Sequence, residues 1–322
     1  MSDELKRLRK ALSKISEVAS AASMDPDGND SENSEDDELD VGSPREKITC
    51  TPKTVPKSQL LKAAKNAVEI NAFNQPEFGP LHLAAPGLEV TPLFIAVQTT
   101  KYWGSSPRTL SVSFMESTST ELRSRIVSHL NAWTRTGCIQ FRETNGVGQV
   151  RISRGSGGYY SYLGTDVLLI PQGRQTMNLQ GFTMSTPESE FKRVIRHEAG
   201  HTLGCPHEHM RRTLVARIDP EKAYEYFRRT QGWSRTQVDQ QVLTPLDERS
   251  LMATPADQTS IMCYQLPGSI TRDGRPITGG TDINQTDYAF IGRVYPRAGH
   301  ADAGAAEDSV DDWESEEWNE DE

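Results

Sequence analysis

Within the segment HEAGHTLGCPHE, residues 197–208, the residues His197, Glu198, His201, Gly204 and His207 stand at a spacing able to hold a metal ion and use it. Four of the seven histidines fall between 197 and 209. A chance match to those five positions in a chain of 322 residues is on the order of 10⁻⁵. On a helix, His197 and His201 are four residues apart and project from one face about one turn apart. That suits two ligands of a tetrahedral zinc, whose bonds to nitrogen are about 2.0–2.1 Å. Glu198 lies about 100° further round, where it can approach a water on the metal without ligating the metal. Gly204 can take the left-handed backbone that ends a helix and swings the chain round. Pro206 stiffens the return, and His207 supplies the third nitrogen from outside the helix. Three protein ligands leave one position open for water, which marks a catalytic site and not a structural one. One Zn²⁺ per chain is the expected cofactor.

These side chains need elements to position them. Thr186, with Pro187 at the first helical position, predicts a helix running to about Leu203. Ahead of it, Leu110, Val112 and Phe114 alternate, which predicts a half-buried strand, and Ile139 with Phe141 and Val150 with Ile152 alternate too, giving two more strands. Thr118 followed by Glu121 fits a capping box, opening a helix whose face carries Leu122, Ile126, Val127, Leu130 and Trp133. A loop is expected over 155–164, then strands at 166–170 and 176–179. Downstream, Asp219–Pro220 predicts a short helix through Phe227, Ser234 caps another to Leu243, and residues 284–295 read as a closing helix. Strands first and helices later indicate an α+β fold, with a mixed sheet and helices packed on it.

The rest of the chain has a different character. Residues 25–40 hold nine acidic residues and residues 301–322 hold eleven, with no Lys or Arg in either. These two runs contribute −20 to a net charge of −10, so the remainder carries +10. Their composition predicts solvated, disordered segments. Residues 4–22 have the spacing of a short amphipathic helix. Ser58 is a candidate N-cap for a helix to Ile70, followed by a Pro-rich lead-in that is irregular until residues 93–98. The expected organisation is a disordered region over 1–57, a helix and lead-in over 58–100 that could act as a prosegment, a catalytic domain over 101–297 and a disordered tail over 298–322. No run of about 18 apolar residues and no apolar signal-peptide core occurs, so the location is open, with the cytoplasm as the default and non-classical secretion as the alternative. No nucleic-acid motif is present, no membrane association is expected, and the oligomeric state is open.

A second element, Ser260-Ile261-Met262-Cys263-Tyr264, follows the histidine cluster. Together the two segments resemble the metzincin zinc peptidases, and within them the astacin family, over about residues 101–297. The resemblance implies a zincin-like fold with a twisted mixed sheet in the first half and a loop-rich second half. It implies that His197, His201 and His207 bind zinc, that Glu198 is general base and then acid toward a zinc-bound water, and that Met262 floors the site. Tyr264 would ligate at rest and then stabilise the oxyanion. Glu208 would contact a mature N-terminus, although no cleavage site is recognisable. The substrate, a protein or peptide, would add to an exposed edge strand, expected at Asp166–Ile170. Cys205 and Cys263 would be neighbours, either bridged or as two free thiols. Cys50 could act as an inhibitory thiolate on zinc, as in some related proenzymes, though it lacks their flanking motif. The expected activity is that of a zinc endopeptidase. The alternatives are a catalytically inactive zinc-stabilised peptide-binding module and a zinc hydrolase of a non-peptide substrate.

Overall fold

The computed structural model describes residues 50, 53–75, 100–246 and 255–297. The helix expected at 4–22, the two acidic runs and the segment 93–98 lie outside the described residues. The first described helix, α1 (Leu60–Ile70), follows a 3₁₀ turn at Lys57–Gln59, so Gln59 and not Ser58 stands at its N-cap.

Alternating apolar residues build the sheet. β1 (Arg108–Phe114) buries Leu110 and Val112 and lies second from one edge. α2 (Thr120–Leu130) crosses to β2 (Ile139–Glu143), which pairs in parallel with β1. The cap of α2 is Ser119, whose hydroxyl accepts from Leu122 N, one residue later than the sequence predicts. Thr118 instead donates its hydroxyl to the Glu116 carbonyl. β3 (Val150–Ser153) pairs in parallel with the other side of β1. β4 (Tyr159–Ser161) and β5 (Met177–Leu179) complete a five-stranded sheet of order β2-β1-β3-β5-β4, in which β4 alone runs antiparallel to its neighbour.

The edge strands are therefore β2 and β4; the one before the active-site helix is β4, within the segment expected to be a loop, and not Asp166–Ile170. Residues Gly164–Leu169 form a 3₁₀ turn. A short apolar run does not by itself distinguish strand from helix, and here a buried polar anchor decides. Thr165 N donates to the Lys101 carbonyl at 3.0 Å, and Asp166 turns inward to Lys101 Nζ at 3.8 Å. Burial pushes the Asp166 carboxyl up to about 6 and the Lys101 ammonium down. Gly164 has φ +47°, and a Cβ there would meet the Lys101 carbonyl oxygen at 1.9 Å. Gly164→Ala is expected to destabilise the domain by about 3 kcal/mol or more and to lower Tm by roughly 6–12 °C, read by thermal unfolding.

Behind the sheet, a continuous helical segment runs through Glu188–Glu190, a π-type turn Phe191–Ile195 and α3 (Arg196–Thr202). Pro187 occupies its N-cap position, one residue later than expected. The second half contributes α4 (Pro220–Gln231), capped by Asp219 and ended by Gly232 at φ +67°, and α5 (Gln285–Val294). The first half packs around Trp103, Trp133, Leu110 and Ile126. A separate cluster around Phe227, Val238, Val242 and Ile270 forms the second half. The cleft between the halves lies against α3. Among the described residues no helix is long and apolar enough to cross a membrane.

Candidate metal centre

The site is built on α3, and the surroundings of α3 explain its fixed position. Its last carbonyls would be orphaned if left unpaired. Trp103 Nε1 donates to Thr202 O at 2.8 Å, and the Tyr295 hydroxyl donates to Leu203 O. Nearer its start, Trp133 Nε1 donates to Arg196 O at 2.8 Å. One face is reduced to Ala199 and Gly200, and a Cβ at Gly200 would stand 2.4 Å from Met262 Sδ. The absent side chain lets the methionine lie directly against the helix. Gly204 then takes φ +96°, with Gly204 N on His201 O and Cys205 N on Gly200 O, and the chain turns toward His207.

The three predicted histidines converge. His197 and His201 present their rings from one helix face, with centroids 4.7 Å apart. The Nδ1 of His197 lies 2.6 Å from the Ile261 carbonyl, and that of His201 lies 2.8 Å from the Cys205 carbonyl. A carbonyl can only accept, so both Nδ1 atoms carry the proton and both Nε2 atoms present lone pairs. His207 Nε2 sits 3.2 Å from the first Nε2 and 3.0 Å from the second. Burial drives His201 and His207 well below the ordinary imidazole range and His197 down to about 4, so protons do not fill this space at neutral pH. A tetrahedral metal with bonds of about 2.0–2.1 Å sets its ligand atoms roughly 3.3 Å apart. The three nitrogens fit such an ion.

Glu198 is wholly buried beside them, and neither carboxylate oxygen has a hydrogen-bond partner. Desolvation pushes its pKa up to about 8. The Cys50 thiol lies outside strict hydrogen-bond geometry but close enough to offset part of that rise. Tyr264 stacks on His209 at 4.2 Å and lies against His207 at 4.1 Å, with its hydroxyl buried and unpartnered. Met262 lies under α3, held in its turn by Asp287. That carboxylate accepts from Ser260 Oγ at 2.6 Å and from Ile261 N at 3.0 Å. The sequence marks Asp287 only as the third residue of a capping box with Asn284. Its link to the methionine turn is a tertiary contact with no local signal. His209 is likewise invisible as a support for Tyr264.

Glu208 accepts from Asp257 N at 3.0 Å, 49 residues on, and pairs with the neighbouring Arg211 at 3.3 Å. Its own N–H donates to the Met262 carbonyl at 2.9 Å. This main-chain bond ties the ligand loop to the methionine turn. Cys205 and Cys263 are buried free thiols.

Cys50, assigned from sequence to a disordered region, is 7% exposed and stands in the site. Its sulfur and one nitrogen from each of His197, His201 and His207 all lie within 4.8 Å of one another. Val55 is also buried, so residues adjoining 57 pack on the domain. A cavity of about 330 Å³ opens beside the site and is lined by Arg193, His197, Glu198, Phe227, Tyr264 and Pro276, among others.

A family model described as Astacin, a peptidase family, matches residues 96–276. Among solved structures, myroilysin is similar at 32% identity and a TM-score of 0.57, over 62% of this chain and 96% of that one. High choriolytic enzyme 1, a hatching enzyme zinc-protease from Oryzias latipes (medaka fish), matches at 24% identity and a TM-score of 0.38, over 57% of this chain and 86% of that one. No curated protein is significantly similar in sequence.

Proposed function

The chain belongs to the astacin family of peptidases and is a zinc metallopeptidase with an α+β zincin-like fold; from that premise we propose that it is an endopeptidase in which Glu198 moves the protons of peptide hydrolysis. His197, His201 and His207 would hold the metal. When bound, zinc supplies Lewis acidity toward a carbonyl oxygen and toward water. Glu198 takes a proton from the attacking water and passes it to the leaving amine. Its burial favours this exchange, because a desolvated carboxylate holds a proton more readily than one in water. The Tyr264 hydroxyl, buried without a partner, is the donor available to the oxyanion that forms at the carbonyl. Met262 and Gly200 keep the histidine face of α3 flat and fixed. A substrate strand would pair with the outer edge of β4, along which Cys50 and Lys53 are bridged to Tyr159 and Tyr162, and would take their place there; main-chain hydrogen bonds give affinity without demanding a particular sequence.

The single observation that carries this reading is an orphaned, wholly buried carboxylate beside three convergent imidazole nitrogens. A peptide-library digestion tests it, with new termini read by mass spectrometry and zinc content measured in parallel. Because the Cys50 side chain stands among the histidines, the digestion is run on Cys50→Ser as well as on the unmodified chain. Internal cleavage abolished by chelation and restored by zinc is the expected result. A zinc-loaded Cys50→Ser protein that cleaves no peptide would refute the reading.

A further inference from the structure

Three stretches meet at the β2 end of the sheet, 100–115, 131–142 and 288–297, and together they hold five arginines and no Asp or Glu. Gly137 and Pro296 form an antiparallel bridge there, Cys138 N donates to Tyr295 O at 3.0 Å, and Arg108 N donates to Cys138 O at 3.3 Å. Arg135, Arg293 and Arg297 are exposed around this junction. The Arg135 guanidinium carbon lies 4.8 Å from the centre of the Tyr288 ring. Arg297 Nη1 donates to Thr134 O at 3.0 Å, one peptide unit from Arg135. Arg293 follows Gly292, where a Cβ would stand 3.4 Å from Thr136 Cβ. Among the described residues none of these three arginines pairs with a carboxylate. A face of one sign without a counter-charge attracts an anion.

We infer that this arginine face is the docking surface for the chain's own acidic tail, residues 301–322. The tail leaves from the face itself, since Arg297 belongs to it. It carries eleven carboxylates and no Lys or Arg, with Trp313 and Trp318 among them. A run that only solubilises is poor in aromatic residues, whereas an indole ring is the preferred partner of a guanidinium plane. Trp313 stands 16 residues beyond Arg297 and Trp318 stands 21 beyond it. A flexible chain of those lengths spans roughly 20–27 Å, enough to fold back on the junction. Such a tether holds its end at an effective concentration on the order of millimolar, so weak contacts suffice. The other acidic run, 25–40, is placed less well. It holds no aromatic residue and lies ten residues ahead of Cys50, which is bridged to β4 at the opposite edge of the sheet.

Phenylglyoxal, which modifies accessible guanidinium groups, tests this on the full chain, with the modified sites read by peptide mass mapping. The comparison is a full-length variant in which the eleven carboxylates over 301–322 are changed to their amides. Arg135, Arg293 and Arg297 are expected to react about 10-fold faster in the variant, the gain from freeing a face covered in roughly nine molecules of ten. Arg228 and Arg229, exposed on α4, should react equally in both proteins. Salt at about 1 M, which screens charges beyond about 3 Å, should raise the same three rates in the unmodified chain. Trp313→Ala with Trp318→Ala leaves the charge untouched and should lose part of the protection at the same three sites; protection that ignores both indoles would contradict the stacking. Equal rates at the three sites in chain and charge variant would overturn the docking and leave the tail to an outside partner. Protection that spreads equally to Arg228 and Arg229 would overturn it in favour of diffuse screening. No step of the test passes through the metal, so its outcome is independent of the peptidase reading.

Discussion

Glu198→Gln, made in the Cys50→Ser background, is expected to lower kcat by about 10²–10⁴-fold or more with zinc content unchanged. The substitution keeps the shape of the side chain and removes its ability to take a proton. Glu198 is not among the convergent donor atoms, so the metal should stay. It also makes no hydrogen bond among the described residues and is wholly buried. Losing the carboxylate therefore removes a desolvation cost, and Tm should hold or rise slightly. The effect is expected in kcat with little change in KM, because the proton transfers are made only on the way to the transition state. A variant whose kcat stays within a few-fold of its parent would remove Glu198 from the proposed chemistry.

The second large effect is on the metal. His201→Ala is expected to weaken zinc binding by more than about 100-fold, the upper range lost when even an outer partner of a ligand is removed, and to abolish peptide cleavage. His201 is wholly buried, so the change also leaves a cavity and an unpaired Cys205 carbonyl. Comparing zinc-loaded with chelated protein separates these effects. In the unmodified chain, zinc at a hundred times its Kd adds about 2.7 kcal/mol, or roughly 5–11 °C in Tm. That difference should vanish in His201→Ala, whose melting should be insensitive to chelator. A variant that keeps the full zinc-dependent increment would show that His201 is no ligand.

The parts legible in the sequence are those fixed by local geometry. His197 and His201 meet because a helix brings residues four apart together, and Gly204 turns the chain because its backbone must adopt a positive φ. The parallel strands β1, β2 and β3 are legible because one face of each alternates with the other. Signals failed where tertiary contacts override local preference. Tyr159–Ser161 reads as a loop for the glycines and serines around it, yet pairing with β5 makes it an edge strand. Residues 166–170 read as a strand, yet the buried Lys101–Asp166 pair winds them into a turn. Asp287 and His209 support the site from a distance that no spacing rule spans. Cys50 stands 147 residues before His197 in a stretch whose composition indicates disorder; only the fold brings the two together.

The account rests on what surrounds the metal, and zinc K-edge X-ray absorption of the full-length chain reads that most directly. The prediction is that three imidazole nitrogens surround the metal at about 2.0–2.1 Å. Fewer than three imidazoles would contradict the histidine site.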